Sequence, residues 1–162
     1  MIRTIEAFRQ DDAGEWVAGL SCLHGQHVRH EPPFWDRQWV LTQEGRSERL
    51  GTPIECPLCD RGELPEGLTV VRTAGPFDHT TVPRGLLREH LVADRTWGLL
   101  EVLDGEVAFD MDTQPRTHSQ LGPGDRQAIP PGIPHRLTLL GATRVLVRFL
   151  VSSERRPDGA GA

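Results

Sequence analysis

From residue 63 onward the apolar positions come in short runs, separated by glycine and proline and interleaved with polar residues. In the clearest run Val145, Val147, Phe149 and Val151 alternate with Arg144, Leu146, Arg148 and Leu150. That period of two puts successive side chains on opposite faces of a sheet. The pattern predicts strands at Leu68–Arg72, Gly98–Leu103, Glu106–Phe109, Arg126–Ile129, His135–Leu140 and Thr143–Val151. Short strands spaced by Gly/Pro turns make a sandwich or barrel. Residues 1–62 are less periodic and predict one helix, Thr42–Leu50, with Thr42 as N-cap. The stretch Glu-Arg-Arg-Pro-Asp-Gly-Ala-Gly-Ala from Glu154 has nothing apolar to bury, so disorder is expected there. The expected chain is mainly β: a small domain over 1–62, a β barrel over 63–153 and a tail over 154–162.

Composition changes near residue 62. The first part holds all three cysteines, Trp16, Trp35 and Trp39, and the cluster His24, His27 and His30. Cys56-Pro57-Leu58-Cys59 is a C-x2-C knuckle, and Cys22-Leu23-His24 offers a second pair of donors. Together Cys22, His24, Cys56 and Cys59 make a Cys3His set suited to structural, tetrahedral zinc. His27 or His30 are alternatives for the fourth ligand. A fragment of about 60 residues has little core of its own, and zinc of this kind contributes on the order of 10 kcal/mol to folding. A zinc-ribbon-like domain is therefore expected.

Charge narrows the partners. The net charge is −5 and the sequence pI about 5.8, so nothing overall attracts nucleic acid or an anionic membrane. Residues 1–62 carry seven arginines against ten acidic residues. That balance opposes phosphate binding and assigns Trp16, Trp35 and Trp39 to the small core rather than to base stacking. No run approaches the roughly 18 apolar residues of a membrane span, and the first residues lack the apolar stretch of a signal peptide. A cytoplasmic protein with reduced, metal-binding thiols is expected. All 18 basic residues are arginine, and asparagine and tyrosine are absent, as in a GC-rich bacterial genome.

The residues that suggest zinc also carry a resemblance. Phe8-x-Gln10-Asp11, Trp16-Val17-Ala18, Cys22-x-His24-Gly25-Gln26-His27-Val28-Arg29-His30-x-Pro32-Pro33, Arg37-x-Trp39-Val40 and Cys56-x2-Cys59 resemble a small bacterial domain of unknown function, sometimes labelled "pressure-regulated". Leu23 departs from it, standing where the family's Cys-Gly-His has glycine. No activity comes with this resemblance.

In the second part, Gly124, Pro130, Gly132 and His135 have the spacing G-x5-P-x-G-x2-H, which resembles the second cupin motif. The spacing puts a tight turn at Gly124, a short strand, a Pro-Pro-Gly corner and a histidine opening the next strand. The first cupin motif is degenerate: Gly105 closes it and His90 stands near its first histidine, while Val92, Trp97 and Gly98 occupy the places of other ligands. His90 and His135 remain as barrel ligands for a second divalent metal (zinc, iron, nickel or manganese), and two imidazoles alone hold such an ion weakly. His79, Glu89, Asp94 and His118 are candidates for a third donor. Glu101 is not, because alternation puts Leu100 and Val102 inside.

Leu64-Pro65-Glu66-Gly67-Leu68, Pro76-Phe77, Pro83-x-Gly85-Leu86-Leu87-Arg88-Glu89-His90, Thr96-Trp97-Gly98, Val102-Leu103-x-Gly105, Leu121-x-Pro123-Gly124, Pro130-Pro131, His135-Arg136 and Phe149 resemble the tellurite-resistance cupin family. The resemblance implies a double-stranded β-helix (jelly-roll) cupin barrel, His90 and His135 as its shared polar positions, and a role in tellurite, nitrate or nitrosative stress. The function expected is a stress-response protein that binds a metal or small ligand. The alternatives are a metal-dependent oxygenase, isomerase or detoxifying enzyme, and an adaptor that meets a partner through the zinc domain. A homodimer is expected from exposed sheet edges.

Overall fold

Alternation decides the first strand. Ile2 and Thr4 face outward while Arg3 and Ile5 are buried, so β1 (Ile2–Gln10) presents one face to the interior. The computed structural model describes residues 1–153; the expected tail over 154–162 lies outside them. Contacts divide the chain after Arg61 into two compact units.

In the first unit, β2 (Trp16–Leu20), β3 (Gly25–His27) and β4 (Pro53–Glu55) join β1 in an antiparallel sheet of order β3-β2-β1-β4. Asp11 makes the β1–β2 turn, its Oδ1 accepting the amides of Ala13 and Glu15. The expected helix forms as α1 (Gln43–Arg49), with the Thr42 hydroxyl accepting the Gly45 amide at 3.1 Å. A second helix, α2 (Pro57–Asp60), spans four residues.

Ile5, Val17, Ala18, Leu20, Val28 and Val40 form the apolar interior of this unit. Trp16 lies under the Arg46 guanidinium at 3.6 Å, and Trp39 packs edge-on against Phe8. Trp35 is not a core residue as expected. It is 52% exposed beside Phe34, at the end of a Glu31–Trp35 bridge, because the Pro32-Pro33 turn carries it away from the sheet.

The second unit holds β5 (Leu68–Asp78), β6 (Trp97–Asp104), β7 (Val107–Met111), β8 (Thr117–Leu121), β9 (Arg126–Ile129), β10 (His135–Leu139) and β11 (Arg144–Ser152). They form two antiparallel sheets, β10-β7-β8 and β5-β11-β6-β9. Leu100, Val102, Val145 and Val147 of one sheet and Phe109, Met111 and Leu137 of the other share one core. The turn between β6 and β7 demands glycine: Gly105 has φ +72°, and a Cβ there would lie 2.2 Å from the Ala142 carbonyl oxygen.

Two strand predictions need amendment. β5 runs to Asp78 instead of stopping at Arg72, crossing Gly75-Pro76, residues that read as a strand terminator. β8 has no apolar alternation, since only Leu121 in it is buried. No helix among the described residues is long and apolar enough to cross a membrane.

Candidate metal centre and histidine pair

Two segments far apart in sequence build the first site. β2 ends at Leu20, and the chain turns back so that the Leu20 amide donates to the His24 carbonyl at 2.9 Å. Leu23 makes this turn at φ +72°, the left-handed region that side chains disfavour. On the other side β4 leads into Cys56, and Pro57 opens α2, which swings Cys59 back beside it. Cys22, His24, Cys56 and Cys59 are each 3% exposed or less.

Their ligand atoms converge within 4.8 Å of one another. His24 Nδ1 lies 3.4 Å from Cys22 Sγ and 3.5 Å from both Cys56 Sγ and Cys59 Sγ. Cys22 Sγ and Cys56 Sγ are 3.9 Å apart. A tetrahedron with bonds of about 2.3 Å to sulfur and 2.0 Å to nitrogen has edges of about 3.8 Å between sulfurs and 3.5 Å from sulfur to nitrogen. The residues therefore fit a tetrahedral ion such as zinc. Without the ion the thiols share protons unequally. A hydrogen bond from Cys59 lowers the Cys22 pKa, whereas Cys59 is pushed up to about 12 by that bond and by burial. Burial also raises Cys56.

The other two histidines of the cluster are engaged elsewhere. His27 Nε2 is 2.8 Å from Asp11 Oδ2, and His30 Nδ1 accepts the Arg37 amide at 3.0 Å. Asp11, Glu15 and His27 form a second, largely exposed group of donors that spacing along the chain did not reveal. Arg29 there already pairs with Glu15.

The second unit brings His90 and His135 together. Their backbones form an antiparallel bridge, each amide donating to the other's carbonyl at 3.0 Å. Directly opposite residues in such a bridge share a face, and the ring centroids lie 4.2 Å apart. His90 Nδ1 lies 2.9 Å from the Arg88 carbonyl, and His135 Nδ1 lies 2.8 Å from that of Ile133. With Nδ1 as donor in both rings, each Nε2 keeps its lone pair. His135 is 3% exposed and stacks on Phe109. Burial, with His90 adding, pushes its pKa down to about 4, so it is neutral at neutral pH.

None of the candidate third donors joins this pair. His118 lies opposite Asp110 in the β7–β8 register, on the other face from Phe109 and Met111, and its Nδ1 is 2.7 Å from Asp110 Oδ1. His79, Glu89 and Asp94 are exposed, and Glu101 is held by Arg148 and Arg126. Glu89 and His135 do line one small cavity, of about 60 Å³. Among the described residues no group of three His, Cys, Asp or Glu donors within 4.8 Å includes either histidine.

Residues 7–63 match the model of a family described as a protein of unknown function, DUF3565. Residues 72–147 match the TehB-like domain. The two matches fall on successive parts of the chain, so each part is similar to a different family, the second to the TehB-like domain. It is similar to the crystal structure of an Escherichia coli (strain K12) protein, with TM-score 0.53 and 20% identity over 62% of this chain and 96% of that one. Likeness at this identity concerns the fold alone. TehB from Haemophilus influenzae is similar with TM-score 0.49 and 20% identity, over 54% of this chain and 32% of the TehB chain. No curated protein matches the sequence.

Proposed function

We propose that this is a cytosolic stress-response protein of the tellurite or nitrosative-stress type. In it a zinc-ribbon-like module with structural zinc at Cys22, His24, Cys56 and Cys59 is joined to a cupin barrel that binds a metal or small ligand at His90 and His135. The tellurite-resistance-type match over residues 72–147 supports the setting. The observation that carries the proposal is the four-donor cluster, whose sulfur and nitrogen spacings suit tetrahedral zinc. Two curled antiparallel sheets with a histidine pair on the inner face are consistent with a cupin barrel.

Elemental analysis of the purified chain tests it. One zinc per chain is expected, lost in the Cys56→Ser/Cys59→Ser double variant and retained when His90 or His135 is changed. Zinc that survives loss of both cysteines would overturn the proposal.

A metalloenzyme is the second reading. It is favoured by two neighbouring imidazoles whose Nδ1 atoms are bonded to carbonyls, which leaves each Nε2 as an acceptor, and water or substrate would add the missing donors. A redox-active metal that leaves when either His90 or His135 is replaced would establish it. The proposal also includes a homodimer, since β5 is an edge strand exposing Val70 and Val71. A monomeric mass by light scattering would remove that element.

A further inference from the structure

A buried arginine beside three buried cysteines calls for an electrostatic account. Arg3 is 8% exposed, unusual for a side chain that keeps its charge at every accessible pH. Its position follows from two strand registers. β1 pairs with β2 up to Ile5 opposite Leu20; just beyond, the Ser21 amide donates to the Thr4 carbonyl at 2.9 Å and the Thr4 amide to the Ser21 hydroxyl at 3.1 Å. Cys22 follows in the turn after that bonded pair. On the other flank Arg3 pairs with Ile54, and the Cys56 amide donates to the Met1 carbonyl at 2.8 Å, which sets Met1 opposite Cys56. Opposite residues share a face, as do residues two apart on a strand. Arg3 and Cys56 therefore lie on one side of the sheet, and Arg3 sits on the strand that separates the two cysteine-bearing segments.

Charge counting gives the placement a purpose. A divalent ion with three thiolates and a neutral imidazole carries one net negative charge, enclosed where water does not reach. Enclosing a net charge is costly, and a nearby guanidinium of opposite sign offsets part of the cost to the centre. We propose that Arg3 is the built-in counter-charge of the metal centre, offsetting the net negative charge of the loaded centre. This rests on zinc occupying the Cys3His cluster. That offset has a chemical consequence. Thiolates whose charge is balanced are weaker nucleophiles, so Arg3 keeps the centre a staple rather than a reactive sulfur site.

The test is zinc affinity of the full chain, by competition with a chromophoric chelator, together with the rate at which iodoacetamide alkylates the zinc-loaded protein. Arg3→Met keeps a flexible apolar stem without charge, Arg3→Gln keeps hydrogen bonding without charge, and Arg3→Lys keeps the charge. The two neutral variants should bind zinc about 10- to 100-fold more weakly and alkylate faster, while Arg3→Lys stays near the unmodified chain in both. Equal affinity in all four proteins, or equal weakening by lysine and methionine, would overturn the role of Arg3 and leave the zinc centre standing. An unmodified chain that holds no zinc sinks both.

Discussion

The two candidate sites differ in how completely the fold finishes them. In the first unit, four donors from segments more than thirty residues apart arrive with the edges of a tetrahedron already set. In the second, a backbone bridge sets two imidazoles close together, tilted by 59°, and supplies nothing more. The apolar support differs in the opposite sense. Ten buried residues from both sheets, with Val92, form the interior of the second unit, whereas the first has a handful and gives part of its interior to Arg3, Cys22 and Cys56. A unit that gives core positions to ligands and their counter-charge depends on the ion to fold. A unit with a filled core does not.

The sharpest way to break this contrast is to remove the metal. Chelation at neutral pH, or the Cys56→Ser/Cys59→Ser change, should unfold the first unit, because a contribution on the order of 10 kcal/mol exceeds what its core can replace. The second unit should keep its own thermal transition. Two melts are expected in calorimetry, with only one moved by chelator. A single melt, indifferent to chelator, would erase the distinction.

Acid should act on the second unit. His135 has a pKa near 4 in the folded chain against about 6.5 free, so the unfolded chain binds the extra proton between those values. Stability is complete above pH 6.5 and is lost as pH falls toward 4. The loss is roughly 2 kcal/mol after allowing for solvent near His90. Denaturant titrations that follow the second unit at pH 7 and pH 4.5 should show it, and His135→Phe should abolish the difference. An unchanged difference in that variant would place the titrating group elsewhere.

What the sequence made legible follows the same division. The start of β11 was readable because its inner positions are aliphatic and alternate with polar outer ones, as with Val145 and Val147 against Arg144 and Arg148. β8 was not, since Thr117, Ser119 and Gln120 cover the sheet without filling the core. The strands of the first unit escaped because β1 buries an arginine where a hydrophobic residue announces a strand. Cysteine and histidine spacing disclosed the four donors that converge in the first unit. No local pattern shows which face His118 takes, because the β7–β8 register decides it.

Smaller changes test the local devices that shape the first unit. Thr42→Ala removes the only side-chain cap on α1 and should cost about 1 kcal/mol, read as a lower melting point of the chelator-sensitive transition. Loss of the same amount from the other transition would mean that the helix serves the second unit.

Leu23 gives a change of opposite sign. It sits between the ligands Cys22 and His24 at φ +72°, a conformation that costs a side chain about 1 kcal/mol or more and glycine almost nothing. The family pattern that this segment resembles has glycine there. Leu23 is also partly buried, so the substitution gives up some apolar contact and frees the unfolded chain, which offsets part of the gain. Leu23→Gly should still raise the melting point of the zinc-loaded first unit by an amount corresponding to about 0.5 kcal/mol. Because the turn is fixed in the bound form, zinc affinity should rise with it while the second transition stays in place. A drop in both would mean that the leucine side chain contributes more through packing than its backbone costs in strain.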